Sequence, residues 1–496
     1  MPMFIGQGTP NRYFIESLTI SNNAGIQDEV VEIFEQFQIT ESIYQNFITG
    51  SITIGDGANF FNRMGFTGQE YIRIHLAGIE GPEEQVPYEE QIDLVFRIYK
   101  VTEMMKDGNS TRYTLHFVSP EALQANRKRI SRAYNGTVSD ICAKIMKEEL
   151  GIREDSDKKP DGKYTGVRIK SEGNIQCVVP NWTVSETLNR LVSYAQSEEG
   201  MTPNSYYMYQ TANKGYKLNK IEDMYGLKYL GGDAVFGEAL AGSGDPNASY
   251  DEDGSQGKRP GPGTDIYDIS KPALFNVLEN TKNGLYSGKR ITMNPINKIY
   301  QEIPFRIADA DEWDMDSKGE YKTKGHISKS LPFRVAPEVV RLPADGAVAG
   351  QALDIAPQSE SLDSIIDYTD AALDFGYETP MNINGKDTTI NNLHHKTQLG
   401  NFKRQSVRQL LSSNTVNVAI SGRTNISCGQ TINLDLKQPI ESGGVVEDEF
   451  MHNGEFLIVG CTFVGTPDSL IVQLELATDG LESSMDGYQT PTAIVG

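Results

Sequence analysis

The 496-residue chain contains no Cys-x-x-Cys pair; its four cysteines, Cys142, Cys177, Cys428 and Cys461, lie far apart. That spacing argues against a zinc knuckle and against a disulfide framework, and reads as four buried thiols. No stretch approaches the roughly 18 continuous apolar residues of a membrane-spanning helix. The opening MPMFIGQGTPNRYF lacks the basic and then apolar pattern of a signal peptide. A soluble phase, with no direct membrane insertion, is therefore expected. Positive charge is scarce as well: 45 Lys plus Arg face 67 Asp plus Glu, a net charge of −22. Nucleic-acid binding through a basic footprint is disfavoured as the main task.

Catalytic signatures are missing too. There is no Gly-x-Ser-x-Gly elbow, no His-Glu-x-x-His and no Gly-x-Gly-x-x-Gly after a strand, so serine hydrolase, zincin and dinucleotide readings lose their anchor. EDGSQGKR imitates a phosphate loop, but Glu252 stands at the opening glycine position and Arg259 at the Ser/Thr position. DMDSKGE imitates a calcium loop through Asp314, Asp316 and Gly319, yet Lys318 occupies a ligand position and Gly325 stands where the bidentate acid belongs. His394 and His395 are adjacent, which points them apart on a helix or strand, so they read as a polar approach to the following helix. Arg127, Lys128, Arg129 and Arg132 form the one dense basic run, which reads as a solvated helix end or a salt-bridge partner for other subunits of this acidic protein rather than as a contact to nucleic acid or an acidic partner. No catalytic, cofactor-binding or metal-binding residue is assigned, and no cofactor is expected.

What is present is strand and turn. The 47 Gly, 22 Pro, 23 Tyr and 19 Phe suit a turn-rich β protein. Ile72, Ile74 and Leu76 alternate with Arg73 and His75; Tyr113, Leu115 and Phe117 alternate with Thr114 and His116, which predicts a sheet with one wet face. Asp107-Gly108 between two such runs predicts a hairpin. GANFFNRMG allows only a one- or two-turn helix. After Pro120 the period becomes 3.6: Thr137 with Asp140, and Thr183 with Glu186, stand at capping-box spacing ahead of amphipathic helices, the first stopped by Gly151. Residues 231–263 hold nine Gly, three Pro and six acids, and 342–385 hold eight acids with no Lys or Arg. These predict a mobile or partner-ordered loop and an acidic insertion of little regular structure.

The end of the chain repeats its beginning. The Gly68-led strand parallels the Gly429-led one at an offset of 361, Phe96 parallels Phe456 at 360, and Asp107 parallels Asp468 at 361. The fold class predicted is β-rich α+β: two similar antiparallel β-barrels, an inserted α/β module, and a long irregular acidic insertion. The division is 1–119 first barrel, 120–205 α/β module, 206–300 start of the second barrel, 301–400 acidic insertion, 401–485 remainder of the second barrel, and 486–496 tail.

ITESIYQNFITGSITIGDGANFFNRMGFTGQEYIRIHL resembles the N-terminal tube-like barrel of baseplate hub proteins of contractile-tailed bacteriophages, a pattern shared with the N-terminal part of type VI secretion spike proteins. The corresponding steps are the strand Gln38 to Ile43, the turn at Gly50, the strand from Ser51 to Asp56, the helix from Ala58 to Met64, and the strand from Gly68 to Leu76. GNFKRQSVRQLLSSNTVNVAISGRTNISCGQTINLDL is similar to the family's second barrel, with its Arg-bearing helix. The resemblance implies a non-enzymatic homotrimer whose six barrels form a pseudo-sixfold ring, adapting the sixfold tail tube to a threefold central spike and lining the DNA exit channel. It implies a tail tube or tube-initiator protein, the spike and surrounding baseplate proteins as partners, DNA passing without sequence-specific binding, location in the virion tail, and assembly in the host cytoplasm. The region 230–400 is longer and more acidic than the resemblance accounts for. Alternatives are an adaptor of another contractile injection system, or a tail protein with a wall-degrading activity in the insertion. Nothing after Gly480 looks like a lysozyme or a β-helical spike, so those parts are expected on other chains. An acidic lining is expected for the channel, because Lys and Arg on its wall would hold DNA phosphates.

Overall fold

The computed structural model describes residues 13–80, 91–152, 174–195, 205–213, 215–224, 415–435 and 454–478, with short pieces elsewhere, chiefly 235–238, 265–273, the strand pair 287–294 and 299–306, and positions between 404 and 412. The calcium-like stretch, the phosphate-like stretch apart from Gln256–Gly257, His394-His395, and most of 231–263 and of the acidic insertion lie outside the described residues.

The N-terminal sheet contains β1 (Tyr13–Ser21), β2 (Phe34–Ser42), β3 (Thr49–Asp56), β4 (Tyr71–Glu80), β5 (Ile92–Asp107) and β6 (Ser110–Val118), in the spatial order β1-β4-β5-β6-β3-β2 and all antiparallel. Alternation decides the faces: Ile72, Ile74 and Leu76 are buried with Tyr113, Leu115 and Phe117, while Arg73 faces water. Phe96 and Phe117 pack with ring centroids 4.8 Å apart. The two end strands meet through the loop between them, where Val30 N–H donates to Leu18 O and Phe34 N–H to Val30 O, both at 3.0 Å. After β3, Asp56 explains why so short a helix as α1 (Phe60–Met64) forms. Its carboxylate accepts from the Ala58, Phe60 and Phe61 N–H groups at 3.1, 2.8 and 2.9 Å. The expected hairpin is present, with Asp107 opposite Ser110 and Gly108 at φ 57°.

A second core holds the α/β module: α2 (Pro120–Arg127), β7 (Arg129–Thr137), α3 (Val138–Ile145), β8 (Asn174–Thr183) and α4 (Val184–Ser193). Thr137 Oγ1 accepts from Asp140 N–H at 3.1 Å, and a full capping box links Thr183 and Glu186. A π-helical turn, Met146–Leu150, intervenes before Gly151 ends the first helix at φ 74°. The basic run is partnered within this module: Arg132 meets Glu148 at 2.6 Å, Lys128 bonds to the Glu149 carbonyl, and Arg129 donates to Asn181 O at 3.0 Å.

One strand pair departs from the sequence division. β9 (Tyr206–Thr211) and β10 (Gly215–Lys220) form a sheet of their own with Arg168–Ile169 instead of opening the second barrel. The reason is burial on both faces of β9. Tyr206 and Met208 enter the module's core, while Tyr207 and Tyr209 enter the large core shared by the two barrel sheets.

The second sheet contains β11 (Val235–Glu238), β12 (Asp265–Ala273), β13 (Thr415–Ser421), β14 (Thr431–Asp435), β15 (Gly454–Gly465) and β16 (Leu470–Ala477), in the order β11-β14-β15-β16-β13-β12. β12 pairs back to β11, so the six strands form a closed circuit of pairings. β11 runs parallel to both neighbours, unlike its counterpart β1.

Strand for strand, the two orders are the same, and the ladders match in detail. Ile72 lies opposite Phe96 as Ile432 lies opposite Phe456, each pair 360 residues on. The ladders skip at Tyr99 and again at Val459, and at Glu35 and again at Tyr267. Ile98 N–H donates to Glu70 O and Ile458 N–H to Gln430 O, both at 2.9 Å. The strand-leading turns are closed alike: Glu70 Oε1 accepts from Thr67 N–H at 2.6 Å, and Gln430 Oε1 from Ser427 N–H at 3.0 Å. This pairing aligns Gly68 with Cys428 and Asp107 with Thr466, so the offsets through Gly429 and Asp468 were displaced by one and two residues. The β-rich α+β fold class is borne out, with two alike and mostly antiparallel sheets; among the described residues the end strands β1 and β2 of the first share no ladder, so that sheet is not closed by pairing.

Candidate assembly junction

The two sheets are joined edge to edge. β2 pairs antiparallel with the second half of β15, Phe37 opposite Gly465 and Ser42 opposite Gly460. Thr40 and Thr462 share a hydroxyl contact at 3.1 Å, and Ser42 Oγ donates to Val459 O at 3.1 Å. Gly465 is required by proximity, since a Cβ there would stand 2.1 Å from Phe37 Cζ.

Glu41 sits in the apolar phase of β2, after Phe34, Phe37 and Ile39, and is 1 % exposed. A buried carboxylate is costly unless it is hydrogen-bonded. Oε2 accepts from Ala212 N–H and Oε1 from Cys428 N–H, each at 2.6 Å. One side chain of the first sheet thereby holds the β9–β10 turn and the turn leading into β14. Around it, burial first and the Glu41 charge second push the Cys428 and Cys461 thiols well above their ordinary range, and burial does the same to Tyr209. Gly429, at φ 76°, is confined further by Tyr209, whose hydroxyl lies 2.1 Å from where a Cβ would stand.

Other bonds converge from the same sheet. Gln210 Oε1 accepts from Ile48 N–H at 3.1 Å and from Ser119 Oγ at 2.6 Å; Asn213 Nδ2 donates to Thr424 O at 3.0 Å. Thr424 Oγ1 also accepts from Gly78 N–H of the first sheet at 2.9 Å. Over this seam lies the Arg-bearing segment. Arg404 stands 5.2 Å from the Tyr207 ring centroid, Arg408 stands 5.3 Å from that of Tyr44, and the two tyrosines meet edge-on at 5.7 Å. Burial lowers the Arg404 pKa from its ordinary value.

Chemically, this arrangement fixes position. Every thiol with a described environment is raised, Cys142 to about 12 by burial and then by Cys177, so none is an activated nucleophile. Among the described residues no group of three or more His, Cys, Asp or Glu could hold a metal ion, and no helix is long and apolar enough to cross a membrane. No junction residue was assigned from sequence. The one legible signal was an acid at an inward position of an alternating strand.

No family model and no curated protein sequence matches the chain. Among solved structures it is similar to a tail protein from Neisseria meningitidis, at 10 % identity and TM-score 0.45, covering 95 % of this chain and 97 % of that one. It is similar to a 43 kDa tail protein of prophage MuSo2 from Shewanella oneidensis, at 10 % and 0.46, covering 94 % and 99 %. A third is an Escherichia coli component of the type VI secretion system described as structurally similar to T4 tail proteins, at 10 % and 0.39, covering 97 % and 79 %.

Proposed function

We propose that this chain is a non-enzymatic structural hub of a contractile phage tail baseplate, a homotrimer that adapts a sixfold tail tube to a threefold spike and surrounds the DNA path. The observation that carries this reading is the repeated strand order, fused side by side through β2 and β15. One chain then supplies two near-equivalent units, and three copies supply six. A partner with sixfold symmetry meets six alike barrels. A partner with threefold symmetry meets the differences between the halves. The sequence resemblance to hub proteins supports the same assignment, with tube or tube-initiator, spike and baseplate proteins as partners, and the acidic composition suits a bore that repels DNA phosphates. Analytical ultracentrifugation of the full chain, alone and with tube or spike protein, tests it. A trimer is expected; a monomer under every condition overturns the hub assignment.

A further inference from the structure

We propose that neighbouring copies join by repeating the intrachain seam, with β12 of one copy pairing antiparallel to the outer half of β5 of the next. The inference rests on the trimer reading and adds its contact strands and register. Within the chain, β2 pairs with the second half of β15. The matched ladders make β12 the counterpart of β2, with Phe34, Phe37 and Gln38 corresponding to Ile266, Ile269 and Ser270, because each faces the matching residue of β3 or β13. They make β5 the counterpart of β15, with Thr102 and Met105 corresponding to Thr462 and Val464. Among the described residues, the two remaining counterparts show no ladder equivalent to the seam. Among the described residues β4 pairs with β5 as far as Arg97, and β11 pairs with β12 at Asp265 and Ile266.

These edges have the character of a covered surface. Met104 and Met105 are 53 % and 65 % exposed beside the unladdered stretch of β5, and Tyr267 is 45 % exposed on β12. A long edge with exposed apolar side chains is a pairing hazard unless something occupies it. Transferring the seam's register sets Ile269 opposite Lys106, Ser270 opposite Met105, and Lys271 opposite the Glu103–Met104 bulge, which brings opposite charges together. Pairing stops before Pro272, which has no N–H to donate. A second copy is the occupant, since this chain itself carries the counterparts of both halves of the seam, and the contact is heterologous and closes into a ring.

Cysteine pairing in the full-length chain tests the register, in a Cys177→Ser background that leaves only buried native thiols. Facing Cα atoms in an antiparallel ladder lie ~4.5–5.5 Å apart, within disulfide reach. Co-expressed Ser270→Cys and Met105→Cys chains are expected to give a covalent dimer on mild oxidation. The double variant is expected to give a band of three chains. Each single variant alone, and Ser270→Cys with Tyr99→Cys, should give little. A trimer in the ultracentrifuge with no cross-linked band from the Ser270→Cys and Met105→Cys mixture overturns this seam and leaves the hub reading intact. Equal cross-linking through Tyr99→Cys overturns the register, and a monomer overturns both.

Discussion

Glu41 accepts a hydrogen bond from the backbone N–H of Cys428 at 2.6 Å, across 387 residues of chain. Its other oxygen takes the Ala212 N–H at the same distance, so these two hydrogen bonds form together only when both sheets and the β9–β10 turn are in place.

Substituting Glu41 therefore tests the junction. Glu41→Gln keeps one acceptor and turns an amide NH2 toward the other N–H, and should lower unfolding free energy by roughly 2–4 kcal/mol. Glu41→Leu abandons both N–H groups and should cost at least as much. Urea denaturation of the full chain measures both, and a change below about 0.5 kcal/mol for either contradicts the assigned role.

Gly465 tests the closeness of the seam. With a Cβ 2.1 Å from Phe37 Cζ, Gly465→Ala should destabilise by roughly 1–3 kcal/mol through overpacking, and Phe37→Leu should recover part of the loss in the double variant. Gly57, where an added Cβ meets nothing within 4 Å, is the matched control and should tolerate alanine. Thermal melts of the four variants decide it.

Glu70 gives the first barrel an acid-sensitive turn that the second lacks. Burial pushes its pKa up, but the Thr67 and Gly68 N–H groups and the Thr67 hydroxyl outweigh it, and the net value lies below the ordinary 4.5. A lowered folded-state pKa contributes stability that is complete above the unfolded value and is lost as pH falls through the folded one. Glu70→Gln, which copies Gln430, should flatten this acid limb between about pH 5 and pH 3. Denaturation midpoints followed across that range should show the wild type falling more steeply than the variant.

Thiol labelling separates the cysteines. Cys177 is partly exposed, whereas Cys142, Cys428 and Cys461 are buried. A disulfide reagent should modify one thiol of four in the native chain, slowly, since burial raises the Cys177 pKa, and all four after denaturation. Rapid native labelling of Cys428 or Cys461 would contradict a closed junction.

The sequence determined what local physics determines. Period-two alternation placed Ile72, Ile74 and Leu76 on a buried face, Asp107-Gly108 set a tight turn, and Thr183 with Glu186 began a helix, because each depends on neighbours within a few residues. The duplication was legible through Phe96 and Phe456, which keep the same cross-strand partner type. Gly68 and Gly429 misled by one residue, because either position of a strand-leading turn accepts a left-handed residue and only the ladder fixes which corresponds to which. Tertiary structure alone decided that Tyr206 and Tyr207 part into two cores, that β12 lies beside β13 although residues 274–414 come between them, and that Glu41 accepts from Ala212 and Cys428. A buried carboxylate states a need for donors, and backbone N–H groups that nearly every residue carries leave no mark in the sequence to say which will meet it.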